Sequence, residues 1–335
     1  MVNPRVPSYK YEDCKFKVEG PIATFMFSNP RLRNSYTLKT WEGLWNACAE
    51  IRDNDDIRVL VITGDPEGQT FCGGLNVKSV YANRAGKDIQ EVIGADQAEQ
   101  RRRAYTATPG TFWHMAQERF ASWGKIPGRE DPKGRGHEGY QGYRWHTLRG
   151  GFVPERGSVL INLDKPVIAM VNGGAYGHGC DIIFYCDIIC ASREKAEFQW
   201  TYIHRGMVPA EGGTYLLPRI TGKYRALEAL WLGTSMSADQ CYEWGWINHV
   251  WPDAELKQRT YELANKLATQ CPPMIMGAIK YCVHAGFPGG DFGFGLLKHI
   301  DELVRPATNS FEGSEDAVEG PRSFVEKRKP VYKGR

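Results

Sequence analysis

The sequence predicts an α/β fold with parallel strand pairing, on three observations. Strand-like and helix-like segments alternate over the first two thirds of the chain. Glycine-bearing turns stand where strands end and helices begin. The run Val167-Ile168-Ala169-Met170-Val171 is apolar without polar alternation, the pattern of a strand covered on both faces.

That run organises the rest. Pro166 precedes it, at the start of a strand where no ladder donor is needed. Asn172-Gly173-Gly174-Ala175-Tyr176-Gly177-His178-Gly179-Cys180-Asp181 then reads as a turn whose glycines and alanine let backbone approach a neighbour closely. A helix is expected to begin near His178, so its unpaired N–H groups and their partial positive charge point into the turn. Such a corner suits a phosphate or a developing oxyanion, and these residues alone leave the choice open.

Taken in order, residues 14–19 and 22–27 read as two strands joined at Gly20-Pro21. Residues 29–34 form a turn carrying the exposed cations Arg31 and Arg33. A helix follows from about Leu38, with Leu38, Trp41, Leu44, Cys48 and Ile51 as its apolar stripe, and Asp53-Asn54-Asp55-Asp56 ends it. Residues 58–63 are the next buried strand, and Phe71-Cys72-Gly73-Gly74-Leu75-Asn76 is a second glycine-bearing turn. Periodicity weakens over about 84–158. The part from 123 to 157 is rich in Gly, Arg and Pro, yet Trp123, Tyr140, Tyr143, Trp145 and Phe152 argue against plain disorder. A structureless loop of that length is uncommon in a compact domain, so it reads as an ordered insertion.

Strands are expected near 187–191 and 196–200, and a turn over 205–213 leads into another helix. The last third reads as mostly helical. Ser237 caps a helix over 238–244, further helices lie near 254–269, 273–285 and 292–305, and a basic final helix ends in Phe324-Val325-Glu326-Lys327-Arg328-Lys329-Pro330. The expected organisation is a core domain over 1–235, interrupted at about 84–158, and a C-terminal helical domain over 236–335.

Composition narrows the function classes. A net charge of +3 on 335 residues leaves no basic footprint for nucleic acid, and Arg101-Arg102-Arg103 reads as a solvated helix face. Nine cysteines, an odd number with no Cys-x-x-Cys pair, suit reduced thiols in a cytoplasmic enzyme. There is no run of about 18 apolar residues and no apolar stretch among residues 1–12, so neither a membrane span nor secretion is expected. His137 and His146 have no acid or cysteine at ligand spacing, so no metal is expected.

Six motifs fall in an order that is recognisable. They are Phe71-Cys72-Gly73-Gly74-Leu75-Asn76-Val77-Lys78, the central stretch, Cys186-Asp187-Ile188-Ile189-Cys190-Ala191, residues 206–214, Ile220-Thr221-Gly222, and the tail with Ser314-Glu315-Asp316, Glu319-Gly320 and 324–330. With these the chain resembles the enoyl-CoA hydratase/isomerase (crotonase) superfamily over most of its length outside 84–158. The resemblance implies a spiral of ββα turns, a C-terminal helical trimerisation region giving a homotrimer or a dimer of trimers, and CoA thioester substrates. It implies no cofactor beyond the coenzyme A that the substrate carries. It also implies that each glycine turn gives one backbone N–H to the thioester oxygen, from Leu75 and His178, the latter standing where the family usually has Gly. Cys72, Gly73 and Tyr202 become candidate substrate-binding positions, and Arg31, Arg33 and Lys327 candidate contacts to CoA phosphates.

The acids bear on the reaction. Hydratases of this superfamily resemble one another in two glutamates flanking a water; the matching positions here are Asp181 and Tyr202, so that pair is not intact. Glu211 stands where several isomerases of the family carry their single acid–base residue. An apolar pocket raises a carboxyl pKa toward neutrality, where it shuttles a proton. Glu211 is therefore expected as the main proton carrier and Asp181 as its partner or the holder of a water. Read singly, both are also ordinary first-turn helix acids, and Tyr202 is a packing residue. The expected reaction is hydration or double-bond isomerisation of an enoyl-CoA, with the aromatic insertion as a lid over a bulky or cyclic acyl group. Retro-Claisen hydrolysis of a β-dicarbonyl compound and a non-catalytic homologue stay open, because fold alone does not choose among them.

Overall fold

The computed structural model describes residues 10–75, 158–209, 212–285 and 315–329. These form a six-stranded and a four-stranded sheet. The larger runs in the order β1 (Cys14–Glu19), β2 (Ile22–Phe27), β3 (Val59–Gly64), β5 (Val167–Val171), β7 (Ile188–Ser192) and β10 (His249–Trp251). β1 and β2 pair antiparallel, and every other neighbouring pair in this sheet is parallel. The smaller sheet holds β4 (Thr70–Cys72), β6 (Gly174–Tyr176), β8 (Glu197–Gln199) and β9 (Met236–Ser237), in that order.

The unalternated strands have a simple cause. Leu60, Ile62, Val167, Ala169 and Val171 point into one core, while Val59, Val61, Ile168 and Met170 point into a second core on the opposite face. The first is closed by α1 (Leu38–Asp53), which buries Trp41, Leu44, Cys48 and Ile51. Its start is fixed by a capping box between Thr37 and Thr40. The second is closed by the long helix Asp253–Gln270 through Leu256 and Ala264.

The spiral arises because strands enter the two sheets in pairs. β3 and β4, β5 and β6, and β7 and β8 each send the first strand to the large sheet and the second to the small one. The bend between them is tight. A Cβ at Gly64 would meet the Thr70 carbonyl oxygen at 2.1 Å. The side chain of Asn172 prolongs β3 at that bend, accepting from Gly64 N at 3.1 Å and donating to Gly64 O at 2.8 Å. The short helix α2 (Ser158–Ile161) precedes β5, and α3 (His178–Ile183) follows β6.

Downstream lie α4 (Gly213–Thr221), α5 (Lys223–Leu232), α6 (Ala238–Glu243), α7 (Asp253–Gln270), α8 (Pro273–Ala285) and α9 (Glu315–Val325). Ser237 caps α6 as expected, its hydroxyl accepting from Gln240 N. β9 and β10 lie beyond residue 235 and pair with β8 and β7, so the chain past that point completes both sheets. All but the last residue of the expected insertion, and the helix expected at 292–305, fall outside the described residues. The side chains of eight of the nine cysteines are described, all free, and burial pushes the thiols of Cys14, Cys48 and Cys72 up to about 12. Among the described residues no helix is long and apolar enough to cross a membrane.

Two lysines, Lys165 buried and Lys280 half-buried, tie the layers together. Lys280 of α8 donates to Asp187 Oδ2 at 2.8 Å and to Leu160 O at 3.0 Å. Lys165 donates to Ile51 O at 2.5 Å and Asn54 O at 2.7 Å, satisfying carbonyls at the C-terminal end of α1. Lys165→Met is expected to cost about 1–3 kcal/mol, since it strands Ile51 O at the helix end while Asn54 O keeps its bond from Ile57 N. Urea denaturation reads this directly, and an unchanged midpoint would contradict it.

Candidate active site

β4 and β6 lie side by side and parallel, with Thr70 opposite Gly174 and Cys72 opposite Ala175. Parallel neighbours end on the same side, so the residues that follow each strand, 73–75 and 177–178, are brought together. Contact between them is close. At Gly74 (φ +76°) a Cβ would stand 2.3 Å from Tyr176 O and 3.5 Å from His178 N. At Gly179 a Cβ would meet Cys72 O at 2.4 Å, so the first turn of α3 rests on the end of β4. Gly177, the N-cap of α3, has φ +53° and ψ −116°, a conformation that glycine alone adopts without strain.

Tyr36 grips both corners. Its N–H donates to Gly74 O at 3.2 Å and its backbone bridges to Leu75. Its ring lies 4.6 Å from the His178 imidazole, which also meets Trp41 edge-on at 5.1 Å. The His178 side chain is thus buried between two aromatic rings of the Tyr36–Trp41 segment, an arrangement that holds the second corner against the first.

Asp181 is the third residue of α3 beyond His178 and is fully buried. Trp200 Nε1 donates to its Oδ1 at 3.1 Å, and Tyr202 Oη donates to its Oδ2 at 2.5 Å. Gly213, which opens α4, is packed on the same carboxylate: a Cβ there would fall 2.5 Å from Asp181 Oδ1. Behind it stands an aromatic wall, with Trp200 stacked on Phe184 at 5.7 Å and tilted against Trp246 at 5.6 Å. Burial in this wall raises Asp181 from 3.8 to about 7, against the two hydrogen bonds, which favour the charged form. A carboxyl poised there gives or takes a proton near neutrality.

Of the residues singled out in the sequence, Cys72, Gly73, Leu75, His178, Asp181 and Tyr202 share this neighbourhood. Gly73 is wedged against Arg33 O and Ser35 Oγ, each 2.6 Å from where its Cβ would be. The 29–34 turn is anchored by Asn34, whose buried amide donates to Asp65 O at 2.9 Å and Thr70 O at 2.7 Å. Arg31 and Arg33 are exposed on it. Lys327 is exposed just past α9, which packs on the turn 203–206 with the Arg205 guanidinium 4.0 Å over Phe324. Glu211 lies outside the described residues.

Sequence reasoning missed two members. Trp200 reads only as the end of a strand, and nothing local marks it, because β8 ends at Gln199 and the turn that follows carries Trp200 and Tyr202 onto Asp181. Tyr36 gave no signal, since its role rests on contacts to residues far along the chain. Among the described residues no group of three or more His, Cys, Asp or Glu side chains is arranged to hold a metal ion.

The family model described as enoyl-CoA hydratase/isomerase matches residues 17–108 and 143–335. A carnitinyl-CoA dehydratase from Salmonella typhimurium is 29% identical, over 94% of this chain and 96% of its own. A solved structure of a carnitinyl-CoA dehydratase from Mycobacterium avium superposes with a TM-score of 0.67 at 23% identity, covering 96% of this chain and 99% of that one. An enoyl-CoA hydratase from Mycobacterium avium subsp. paratuberculosis superposes with a TM-score of 0.65 at 17% identity, covering 97% of this chain and all of the other. At these identities the two structures speak for the fold.

Proposed function

The chain belongs to the enoyl-CoA hydratase/isomerase family, and on that footing we propose that it stabilises a thioester enolate and moves a proton across an enoyl-CoA, by hydration, dehydration or double-bond isomerisation. The observation that carries this reading is a fully buried carboxyl, Asp181, raised to about 7 and standing one helical turn from the paired glycine corners.

In this reading the amides of Leu75 and His178 receive the thioester oxygen. As the α-proton leaves, charge gathers on that oxygen, and each fixed donor in a dry site is worth roughly 3–4 kcal/mol. Glu211 and Asp181 share the proton work as partners. Gly213, two residues past Glu211 in sequence, packs on Asp181, which supports that partnership. Arg31, Arg33 and Lys327 offer cations to the CoA phosphates. Ile275, Ile279 and Val283, exposed along one stripe of α8, support assembly as a homotrimer or a dimer of trimers.

The relatives' name makes carnitinyl-CoA the first thioester to try, beside crotonyl-CoA and a 3-enoyl-CoA. At least one is expected to turn over, with kcat/KM falling about 100-fold or more when the CoA is cut back to a short thiol, because remote binding energy is lost. Cleavage of a free β-dicarbonyl compound with no dependence on CoA would overturn the proposal in favour of the C–C hydrolase.

A further inference from the structure

Resting on the acyl-CoA reading above, we infer that Tyr202 is a catalytic residue whose phenol exchanges the proton with the substrate or its water, with Asp181 as the acceptor behind it. Asp181 is 0% exposed and both of its oxygens are engaged, Oδ1 by the Trp200 indole at 3.1 Å and Oδ2 by the Tyr202 phenol at 2.5 Å. The start of α4 closes the remaining side, where Gly213 leaves no room for even a methyl group beside Oδ1. A carboxylate so enclosed reaches a substrate proton only through a donor bonded to it. The indole N–H is too weak an acid to pass a proton on; a phenol is not.

Tyr202 is also the member with access. It keeps 8% exposure, and its ring edge (Cε2) lies 3.9 Å from where a Cβ would stand at Gly177, the residue before His178. The ring therefore borders the open side of Gly177 while its hydroxyl bonds the buried acid. Among the described residues the Cys180 thiol also neighbours Asp181, but it is held protonated by burial and donates to Ala175 O, so it does not compete.

The transfer balances. The phenol oxygen receives the proton leaving the substrate α-carbon, or leaving a water that adds to the double bond, while the phenol's own proton crosses to Asp181 Oδ2. The electron pair of the broken C–H bond becomes the enolate, or that of the broken O–H bond forms the new C–O bond. Asp181 ends neutral, the phenol is unchanged, and the reverse transfer returns the proton to the product. Burial of Asp181, which brings its two protonation states close in energy near neutrality, suits it to this role.

The test compares wild type, Tyr202→Phe, Asp181→Asn and the double variant in D₂O. Mass spectrometry follows exchange of the α-protons of butyryl-CoA, and titration calorimetry follows its binding. Binding is expected to stay within about threefold throughout, while exchange falls about 100-fold in each single variant and no further in the double, as for groups acting as one unit. Additive losses, or a Tyr202→Phe variant exchanging within about threefold of wild type, would overturn the relay. Fluorotyrosine at position 202 guards against misfolding: it keeps the shape, makes the phenol more acidic and should change the exchange rate severalfold, whereas an unchanged rate would leave only a packing role. A wild type that binds butyryl-CoA without exchanging its α-protons overturns the relay and spares the acyl-CoA reading. Failure to bind acetyl-, butyryl- or crotonyl-CoA overturns both.

Discussion

Asp181→Asn is expected to lower turnover by about 10²–10⁴ and, at pH 8, to leave the protein more stable than wild type. The two effects share one cause. Burial raises the folded carboxyl from 3.8 to about 7, so the fold holds its proton more tightly than the open chain does. Stability from that proton is complete below the ordinary carboxylate value and is lost as pH rises through about 7. Above neutrality the charged group therefore costs the fold up to about 4 kcal/mol relative to acid conditions. Asparagine never ionises and is spared that cost, while it still accepts from Trp200 or Tyr202 through its carbonyl oxygen. Thermal melts at pH 5 and pH 8 decide the matter: the advantage of the variant should appear or grow at pH 8. A variant equally destabilised at both values would show that the carboxylate is well solvated or paired, contrary to its burial. A residue that weakens the fold while serving chemistry is the usual trade between stability and activity.

Gly74→Ala is the second substitution with a large expected effect. The added methyl lands 2.3 Å from Tyr176 O, a backbone atom that cannot rotate away, at a residue with φ +76°. Relieving the clash must part the two corners, and the amide of Leu75 moves with Gly74. Turnover should fall about 10²–10³-fold, the effect of losing one oxyanion donor. Gly20→Ala is the matched control. It has a similar φ of +59° with nothing within 4 Å, so it carries the backbone strain of about 1 kcal/mol without the clash. The two variants turning over equally fast would contradict the placement of the corner.

Much of this arrangement was legible in the residues. The run from Val167 betrays a doubly covered strand because each of its faces meets a separate core. The glycine corner ahead of His178 betrays a helix start because few other sequences permit the Gly177 conformation. The second sheet left little trace beyond β8, which falls inside the strand expected at 196–200, since its strands are two or three residues long and too short to show a period of two. Gly174 to Tyr176, and Phe71 with Cys72, read as parts of turns for that reason, and β10 leaves no signal likewise. α5 was missed because its pattern is inverted: small Ala226 and Ala229 face inward while Tyr224, Trp231 and Leu232 face out. Within the site, Asp181 could be named from its place in the motif. Tyr202 could be named from the family pattern as well, but its bond to Asp181, and Trp200 altogether, could not, because only the spiral brings residues 19 and 21 positions downstream back onto that acid.

The account turns on two amides from distant parts of the chain acting on one carbonyl oxygen. A crystal structure with a nitronate analogue of propionyl-CoA, an enolate mimic, tests this most directly. The charged oxygen is expected about 3 Å from both Leu75 N and His178 N, with the reacting carbon facing Tyr202. An analogue whose oxygen bonds to neither amide, or amides of 75 and 178 that face apart around it, would contradict the account.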